Sequence, residues 1–343
     1  MARRLEREAG GAGVYAGRYE RAGSADECDL SDGSRGGCCD GGLELRMKPA
    51  SVRRRLSAGR DRGVPRVWPS TFSASAGLRA YEGITVGEVA YGSLASVYEW
   101  LVPDAKASPA GSAQAFEMVT AGLDPGAQIL DCACGVGLLA VGLAEAGFRV
   151  TACDASPAMV ERTQELARTH GVEVSARVCR WDQLPDQGWQ DRFDAVFCVG
   201  NSLAHAVGRS GRRAAIDGMA FVLRTGGVLA LTSRNWEQIR SSGSRLDVWD
   251  RLVERADRKA VVVYSWQVPP SWDTEHRLEI SVAALQDGDR LHVTTELLSI
   301  WPFRHEELRA DVAAAGLSLV GSTYDATQTN YLVTAQRRLG LPT

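Results

Sequence analysis

The segment from Gln128 to Met159 constrains the fold of this chain more than any other part of the sequence. A short apolar run, Ile129 to Cys132, has the length of a buried strand and leads into a turn with Gly135 and Gly137. Apolar residues at helical spacing follow, and a second strand then ends at Asp154. This order predicts an α/β fold with a Rossmann-like sheet, in which ligands bind beyond the carboxyl ends of the strands.

The glycine turn and the acidic residues around it indicate what kind of ligand would bind there. Glycines let a ligand approach the backbone closely, and an acid at the position of Asp154 can accept hydrogen bonds from ribose hydroxyls. A dinucleotide turn would have a third glycine, where this chain has Ala140. S-Adenosylmethionine has no pyrophosphate, so a shorter turn suffices, and Asp131 suits its methionine end or a bridging water. A purely structural turn is the remaining alternative.

Composition excludes several classes of function. A net charge of -3 and a pI near 6.0 argue against a broad nucleic-acid surface. There is no bilayer-length apolar run and no signal-peptide pattern. The cysteines are scattered, and Cys132 and Cys134 have no second pair at matching spacing, which argues against a metal site. We therefore expect a cytoplasmic protein with no nucleic-acid, membrane or metal partner.

The chain divides near residue 85. Residues 1–85 are rich in Gly, Ser, Arg and Asp with few apolar clusters, so a disordered N-terminal arm is expected there. The run Arg53 to Arg55 reads as a solvated part of this arm, with a nucleic-acid tail as the alternative. Met47 is an alternative start of translation. Order is expected to begin near Glu88.

Beyond this arm the pattern alternates strands and helices, and then changes to strands alone. Helices are predicted at Tyr91–Leu101, Gln114–Ala121, Leu138–Ala146, Pro157–His170 with Ser156 as N-cap, Arg212–Leu223 with Gly226 and Gly227 as its stop, and Glu306–Ala315. Strands are predicted at Ile129–Cys132, Phe148–Cys153, Glu173–Cys179, Asp194–Val199, Val228–Thr232, Ala260–Val268, Arg277–Leu285, Arg290–Trp301, Ser318–Thr323 and Tyr331–Gln336. The pattern predicts a seven-stranded mixed sheet and a small antiparallel cap over 235–301, with Asp287 and Gly288 as one hairpin turn.

Four sequence blocks make this chain similar to the class I S-adenosylmethionine-dependent methyltransferases. Within that class it resembles the glycine and sarcosine N-methyltransferases. The blocks are LDCACGVG with CDASPAM, RWDQLP, FDAVFCVGNSLAHA and GGVLALTSRNWEQI. The resemblance runs from Tyr91 to the C-terminus. It implies a methyltransferase domain over 86–343, S-adenosylmethionine as cofactor, a small-molecule acceptor and, in some relatives, a homo-oligomer.

The resemblance also implies which residues meet the methyl donor. Asp154 is expected on the ribose, with capping of the next helix as its alternative role. Met159 is expected at the adenine or in the core, and Asp182 at the adenine amino group. The full set of expected cofactor-binding residues is Asp131, Ala133, Gly135, Gly137, Asp154, Ala155, Met159, Trp181, Asp182, Val199 and Asn201.

On the acceptor side the resemblance implies an amine that carries a carboxylate. Arg234 is expected to bind the carboxylate, and Asn201 to lie near the amine with His205 as a base or a structural residue. Tyr98, Trp301 and Tyr331 are further candidates for the acceptor pocket. The chain departs from the family where a donor-binding arginine is expected, since only Lys106 is present.

The expected reaction is N-methylation of glycine, sarcosine or a related amino acid. Several tryptophans near the predicted pocket also suit a larger acceptor. Two alternatives stay open: an O- or C-methyltransferase of a natural product, and a donor-binding regulator without catalysis.

Overall fold

The structure is a computed structural model that describes residues 90–249, 252–255, 258–286 and 290–338. The expected N-terminal arm and the turn at Asp287 and Gly288 lie outside the described residues. Within the described ranges, no helix combines the length and apolarity that a membrane crossing requires.

Twelve strands and seven α-helices make up the described fold. The strands are β1 (Gln128–Asp131), β2 (Arg149–Asp154), β3 (Val174–Val178), β4 (Phe193–Cys198), β5 (Leu223–Arg234), β6 (Arg245–Val248), β7 (Val253–Arg255), β8 (Arg258–Gln267), β9 (His276–Gln286), β10 (Arg290–Ile300), β11 (Leu317–Ser322) and β12 (Asn330–Arg337). The helices are α1 (Pro109–Gln114), α2 (Glu117–Thr120), α3 (Leu138–Glu145), α4 (Pro157–His170), α5 (Gly208–Val222), α6 (Trp236–Ser241) and α7 (His305–Ala314). Short 3-10 helices cover Leu94–Leu101, Asp104–Lys106, Trp181–Gln187 and Ser202–His205.

The central sheet has the predicted seven strands, in the order β11-β12-β5-β4-β1-β2-β3. Strands β1 to β5 are parallel, and β12 runs antiparallel between β5 and β11. After β1 the chain moves to one side of the sheet for β2 and β3, and then to the other side for β4 and β5. The strand order therefore reverses between β1 and β4, which is where open α/β sheets bind ligands.

A second sheet of five antiparallel strands lies in the chain between β5 and α7, which confirms the predicted antiparallel insertion. Alternate residues of β8 and β9 are buried, so one face of this sheet belongs to the hydrophobic core. In β10 the same inward row contains Glu296, Leu298 and Ile300, of which the last two are buried. Glu296 thus stands between the polar first half of this row, which is Arg290, His292 and Thr294, and its buried apolar end.

Several predicted element boundaries were wrong. The helix expected at Gln114–Ala121 is two short helices, because Phe116 leaves the helical conformation and packs edge-on against Phe197. Helix α5 ends at Val222, since Leu223 is already extended and pairs with Phe193, so Gly226 and Gly227 lie in β5. The sequence pattern also missed the short elements α6, β6 and β7.

The predicted N-cap of α4 is right in position and wrong in mechanism. Ser156 is the residue before the helix, but its hydroxyl makes no capping hydrogen bond. Instead, the Ser156 amide donates to Asp154 Oδ1 at 2.9 Å. The carboxylate two residues earlier therefore orders the chain just before the helix, whereas a capping serine would bond an amide of the first helical turn.

Candidate active site at the carboxyl edge of the parallel strands

The carboxyl ends of three neighbouring parallel strands bring the predicted donor-binding residues together. Asp131 ends β1 and Asp154 ends β2, and these two strands pair directly. Val199 follows the end of β4, which pairs with β1 on its other side. The turn residues Ala133 and Gly135 continue from β1, and Ala155 continues from β2. The sequence prediction thus identified residues that share one edge of the sheet.

The glycine turn after β1 is held by hydrogen bonds on both sides. The Gly135 amide donates to Asp154 Oδ2 at 3.0 Å, and the Thr163 hydroxyl of α4 donates to the Gly135 carbonyl at 2.8 Å. Gly137 has a φ of +88°, and a Cβ there would lie 2.9 Å from atoms of Thr163. Glycine is therefore required at this position by conformation and by space.

Asp131 is a buried carboxylate without a hydrogen-bond partner among the described residues. Burial raises the pKa of this carboxyl to about 7, against the opposing effect of the Ala133 amide, and the nearby Asp154 carboxylate raises it further. A buried acceptor of this kind is costly unless a ligand or water pairs with it. A cationic group would remove the penalty and return the pKa towards its ordinary value.

Asp154 holds the backbone on both sides of the site. Its two oxygens accept one backbone amide each, from Gly135 and Ser156, and Ser156 is the residue before α4, so Asp154 does not bond the first-turn amides that a capping side chain satisfies. A carboxylate has about four acceptor positions, so lone pairs remain for ribose hydroxyls. Burial raises its pKa, while these backbone amides oppose the rise.

The turn after β4 presents an unpaired amide oxygen. Gly200 and Asn201 are both left-handed, with φ values of 76° and 68°, a conformation that asparagine tolerates better than most residues. Ser202 fastens the turn by donating from its hydroxyl to the Val199 carbonyl at 2.7 Å. The Oδ1 atom of Asn201 is buried and has no partner among the described residues. The side chain can therefore accept a hydrogen bond from a ligand.

The residues predicted at the adenine differ in their burial and in their partners. Met159 is buried and packs with Val136 of the glycine turn and with the half-buried Tyr98. Trp181 donates from Nε1 to the Cys132 carbonyl at 2.8 Å, which keeps its indole at the end of β1. Asp182 is exposed and forms a two-point ion pair with Arg180, at 3.0 and 2.9 Å. An adenine amino group would have to share or displace this pair.

Arg234, the last residue of β5, meets the antiparallel sheet. Its guanidinium carbon lies 5.8 Å from the ring centre of Tyr264 and 5.6 Å from that of Trp266, both on β8. No carboxylate of the described residues forms an ion pair with Arg234. A guanidinium has five N–H donors, so beyond its hydrogen bond with the Tyr264 hydroxyl Arg234 keeps donors for an anion.

Tyr98 and Tyr91 lie between Arg234 and the donor-binding edge, and Tyr98 is close to that edge. Burial raises the pKa of Tyr98 to about 12, and the charges of Asp154, Arg234 and Asp131 all act on its hydroxyl. A Cβ added at Gly135 or Gly200 would lie 3.9 Å from the Tyr98 side chain. Tyr98 therefore lies beside both turns that the resemblance assigns to the donor.

Tyr91 pairs with the candidate base His205. The Tyr91 hydroxyl lies 3.1 Å from His205 Nε2, and His205 Nδ1 lies 3.0 Å from the Ser299 carbonyl. A carbonyl only accepts, so Nδ1 carries the proton and Nε2 accepts from the tyrosine. Burial lowers the pKa of His205 and raises that of Tyr91, so the pair is neutral at pH 7.

Three residues predicted near the ligands have other neighbours. Tyr331 packs edge-on against His305 and Tyr324, and its backbone pairs with Ser233, the residue before Arg234. The Trp301 amide donates to the Ala204 carbonyl, and its ring lies beside Gly208. Lys106 extends its ammonium over the Phe116 ring at 5.1 Å. None of these contacts joins the donor-binding edge.

Sequence reasoning missed Tyr264 and Glu296 as residues of this region. Tyr264 stacks with Arg234, and Glu296 accepts hydrogen bonds from the backbone of Tyr91 and Leu94. The alternation of β10 carried no signal for Glu296, because His292 and Thr294 in the same row are also polar. Nothing in the local sequence distinguishes Tyr264 from a core aromatic residue.

The residues at this edge fit the chemistry of S-adenosylmethionine. This ligand is cationic at its sulfur and at its amino group, and it carries hydroxyl donors on the ribose. The site offers buried carboxylates, the free Asn201 oxygen and tyrosine rings, which all favour a cation. Asp131 would hold the amino group, Asp154 the ribose, and the glycine turn would let the ligand approach the backbone.

Substituting alanine for Gly137 tests whether the turn is sterically closed. Gly147 is a matched control, since its φ is +90° but a Cβ there meets nothing within 4 Å. We expect Gly147→Ala to lower the free energy of unfolding by about 1 kcal/mol through backbone strain. Gly137→Ala should lower it by about 3 kcal/mol, because overpacking against Thr163 is added. Urea unfolding measures both, and equal losses would contradict the steric argument.

Comparisons with known proteins agree with this geometry. Residues 129–227 match the family model of a methyltransferase domain. Human glycine N-methyltransferase is 36% identical to this chain over 128 residues, which cover 34% of this chain and 43% of the human protein. Glycine/sarcosine N-methyltransferase of Aphanothece halophytica is 34% identical over 116 residues, with 34% and 43% covered. The chain spans less than half the length of these curated relatives.

A solved structure supports the fold over a longer part of the chain. The S-adenosylmethionine-bound amino pentose methyltransferase from Micromonospora echinaspora superposes with a TM-score of 0.55. The two are 22% identical, and the match covers 73% of this chain and 99% of the other. The matched family model over residues 129–227 shows that the chain contains a methyltransferase domain, and its fold is that of S-adenosylmethionine-dependent methyltransferases.

Proposed function

We propose that this protein transfers a methyl group from S-adenosylmethionine to the nitrogen of a small amine that carries a carboxylate, such as glycine, sarcosine or a related amino acid. The observation that carries the acceptor class is Arg234. This guanidinium stands between the donor-binding edge and the antiparallel sheet without an ion-pair partner among the described residues. The similarity to glycine and sarcosine N-methyltransferases supports the same acceptor class.

The donor side of the reaction requires binding and orientation. S-Adenosylmethionine supplies a methyl group on a positively charged sulfur, which a neutral amine takes without a metal or a covalent enzyme intermediate. Asp131 and Asp154, at the buried end of the site, would balance the positive charge of the donor. Tyr98 lies beside both turns and excludes water from them. Much of the rate enhancement in such a reaction comes from alignment of the reactants and exclusion of water.

The acceptor side requires one group that binds the carboxylate and another that orients the amine. Arg234 would bind the carboxylate through two parallel N–H donors. The free Asn201 oxygen would accept a hydrogen bond from the amine and direct the nitrogen lone pair towards the donor. The antiparallel sheet, through Tyr264 and Trp266, would form the outer wall as a substrate cap.

The pair of Tyr91 and His205 can take up the proton that the acceptor amine must lose. An amino-acid acceptor is mostly ammonium at pH 7, so one proton must leave before the nitrogen can react. His205 is neutral and accepts from the Tyr91 hydroxyl, so a proton can move from the acceptor to Tyr91 as Tyr91 gives its own to Nε2. The Ser299 carbonyl would stabilise the resulting imidazolium through Nδ1.

The free thiols support a reducing compartment, such as the cytoplasm. Five cysteines in the described residues are buried and unpaired: Cys132, Cys134, Cys153, Cys179 and Cys198. Burial raises the pKa of the Cys132 and Cys134 thiols and keeps them protonated, and unpaired thiols are typical of proteins in a reducing compartment.

Turnover with a panel of acceptors tests the proposal. The panel contains glycine, sarcosine, dimethylglycine, amino sugars and phenols, with release of S-adenosylhomocysteine as the measured product. We expect turnover with an amino acid and none with amines of equal size that lack the carboxylate. Turnover with phenols or amino sugars alone would replace the amino-acid acceptor by a natural-product acceptor. Donor binding without turnover would favour a regulatory protein.

Substitution of Arg234 separates acceptor binding from donor binding. We expect Arg234→Ala to raise the acceptor KM about a hundredfold, because a two-point charged contact is lost. The Kd of S-adenosylhomocysteine should change by less than about threefold, since Asp131 and Asp154 remain. Arg234→Lys is the control, because it keeps the charge but loses the planar fork. Equal losses of donor and acceptor binding would contradict the carboxylate contact.

The buried carboxyl of Asp131 predicts a pH dependence. Its pKa in the folded protein is about 7, so between about pH 4 and 7 the folded chain holds a proton that the unfolded chain has lost. The free energy of unfolding should therefore fall as the pH rises through this window, and level off above it. A donor ammonium group pairs with the ionised form, so affinity for S-adenosylhomocysteine should rise over the same window.

Asp131→Asn should flatten both profiles, whereas Asp217→Asn, at an exposed position of α5, should leave them unchanged. Calorimetric titrations from about pH 5.5 to 8.5, roughly 1.5 units on either side of the pKa, measure the affinity. A wild-type affinity that does not vary with pH would show that the ammonium group has another partner.

A further inference from the structure

The segment from residue 90 to residue 102, which we name the N-terminal strap, carries two aromatic residues into the site. Tyr91 meets His205, and Tyr98 lies beside the turns at Gly135 and Gly200. Most of the strap is the 3-10 helix Leu94–Leu101. A 3-10 helix has poorer hydrogen-bond geometry than an α-helix, so its position depends on contacts with the rest of the chain.

The strap begins with a backbone conformation that needs support. Tyr91 has a φ of 68°, in the left-handed region that bulky side chains disfavour. The carboxylate of Glu296 accepts a hydrogen bond from the Tyr91 amide with Oε1, and Oε2 accepts from the Leu94 amide at 2.9 Å. One carboxylate therefore fixes both the turn at Tyr91 and the first residue of the 3-10 helix.

The position of Glu296 in the second sheet explains why its carboxylate needs the two amides of the strap as donors. Glu296 faces inward on β10, in the row that continues with the buried Leu298 and Ile300. A half-buried carboxylate in such a row is stable only with strong donors. The two strap amides supply them, and together they form the kind of anion contact that the start of a helix favours.

The other end of the strap is held by a charge of opposite sign. Arg255 on β7 donates from Nε to the Glu99 carbonyl at 3.1 Å and from Nη2 to the Val102 carbonyl at 2.7 Å. The acid thus binds free amides at the start of the strap, and the base binds free carbonyls at its end. Both charges come from the antiparallel sheet, and both match the dipole of the helical segment.

We propose that Glu296 is a positioning residue for the active site, which acts on the methyl donor through Tyr98 and on the acceptor proton through Tyr91. The proposal rests on the proposed function, because it assigns those roles to the two tyrosines. Without the carboxylate the turn at Tyr91 relaxes and the first turn of the strap leaves its place. The antiparallel sheet then serves donor binding as well as acceptor binding.

The test uses the full chain with Glu296→Ala and Glu296→Gln. The control is Glu279→Ala, on the neighbouring strand β9, where the side chain is exposed on the opposite face of the sheet. Hydrogen exchange is measured over residues 90–102, and the Kd of S-adenosylhomocysteine is measured by calorimetry. Circular dichroism and thermal unfolding establish that each variant is folded.

We expect Glu296→Ala to speed exchange at the start of the strap and to raise the Kd about tenfold, because two charge-assisted hydrogen bonds are lost. Glutamine keeps one acceptor oxygen and turns a donor towards the other amide. Glu296→Gln should therefore raise the Kd by about threefold, as a partial rescue. Glu279→Ala should match the wild type in both measurements.

A double-variant cycle tests the route through Tyr98. If Glu296 acts through Tyr98, then Glu296→Ala should raise the Kd much less in a Tyr98→Ala background than in the wild type. A general loss of stability would raise the Kd by the same factor in both backgrounds. Unchanged exchange in a folded Glu296→Ala variant, or full additivity with Tyr98→Ala, would overturn the proposal.

The outcomes also separate this proposal from the proposed function. If no acceptor in the panel is methylated but the wild type binds S-adenosylhomocysteine, the proposed function fails while the strap is still tested by Kd and exchange. If turnover occurs and the Glu296 variants behave like the wild type, the proposed function stands and the positioning role fails.

Discussion

The carboxylate of Asp154 is the contact on which the site depends. It accepts the amide of Gly135 from the turn after β1 and the amide of Ser156 at the start of α4. One side chain therefore joins two strands, a glycine turn and a helix at the edge where the strand order reverses. The hydrogen bond to Gly135 helps to hold the turn, and a donor ribose would draw on the remaining lone pairs of the carboxylate.

Local sequence patterns predicted the parts of the fold that local forces create. The strand, glycine turn, helix and acid between Gln128 and Asp154 lie where the pattern put them, because apolar spacing and glycine act within about ten residues. The seven-stranded sheet and the antiparallel insertion follow from the same reasoning. The wrong boundaries, such as the helix broken at Phe116, arise where packing against a distant residue overrides helix propensity.

The candidate site likewise has one part that sequence patterns predict and one part that depends on contacts between distant residues. The donor residues share one edge since each follows a strand, so topology alone brings Asp131, Asp154 and Asn201 together. The acceptor side depends on contacts between residues far apart in sequence: Tyr91 and His205 are 114 positions apart, and Leu94 and Glu296 are 202 apart. No local pattern encodes such pairs. This is why Tyr331 and Trp301 were expected in the pocket while Tyr264 and Glu296 were missed.

Arg234 joins the part of the site that topology creates to the part that depends on distant contacts. It belongs to the parallel sheet by its strand and to the antiparallel sheet by its contacts with Tyr264 and Trp266. The two rings and the hydrogen bond with Tyr264 limit the directions from which an anion can reach the remaining donors of the guanidinium. An acceptor with a carboxylate would therefore enter in one orientation. Under the proposed function, the parallel sheet would bind the donor, and the inserted sheet would decide which acceptor geometry Arg234 can bind.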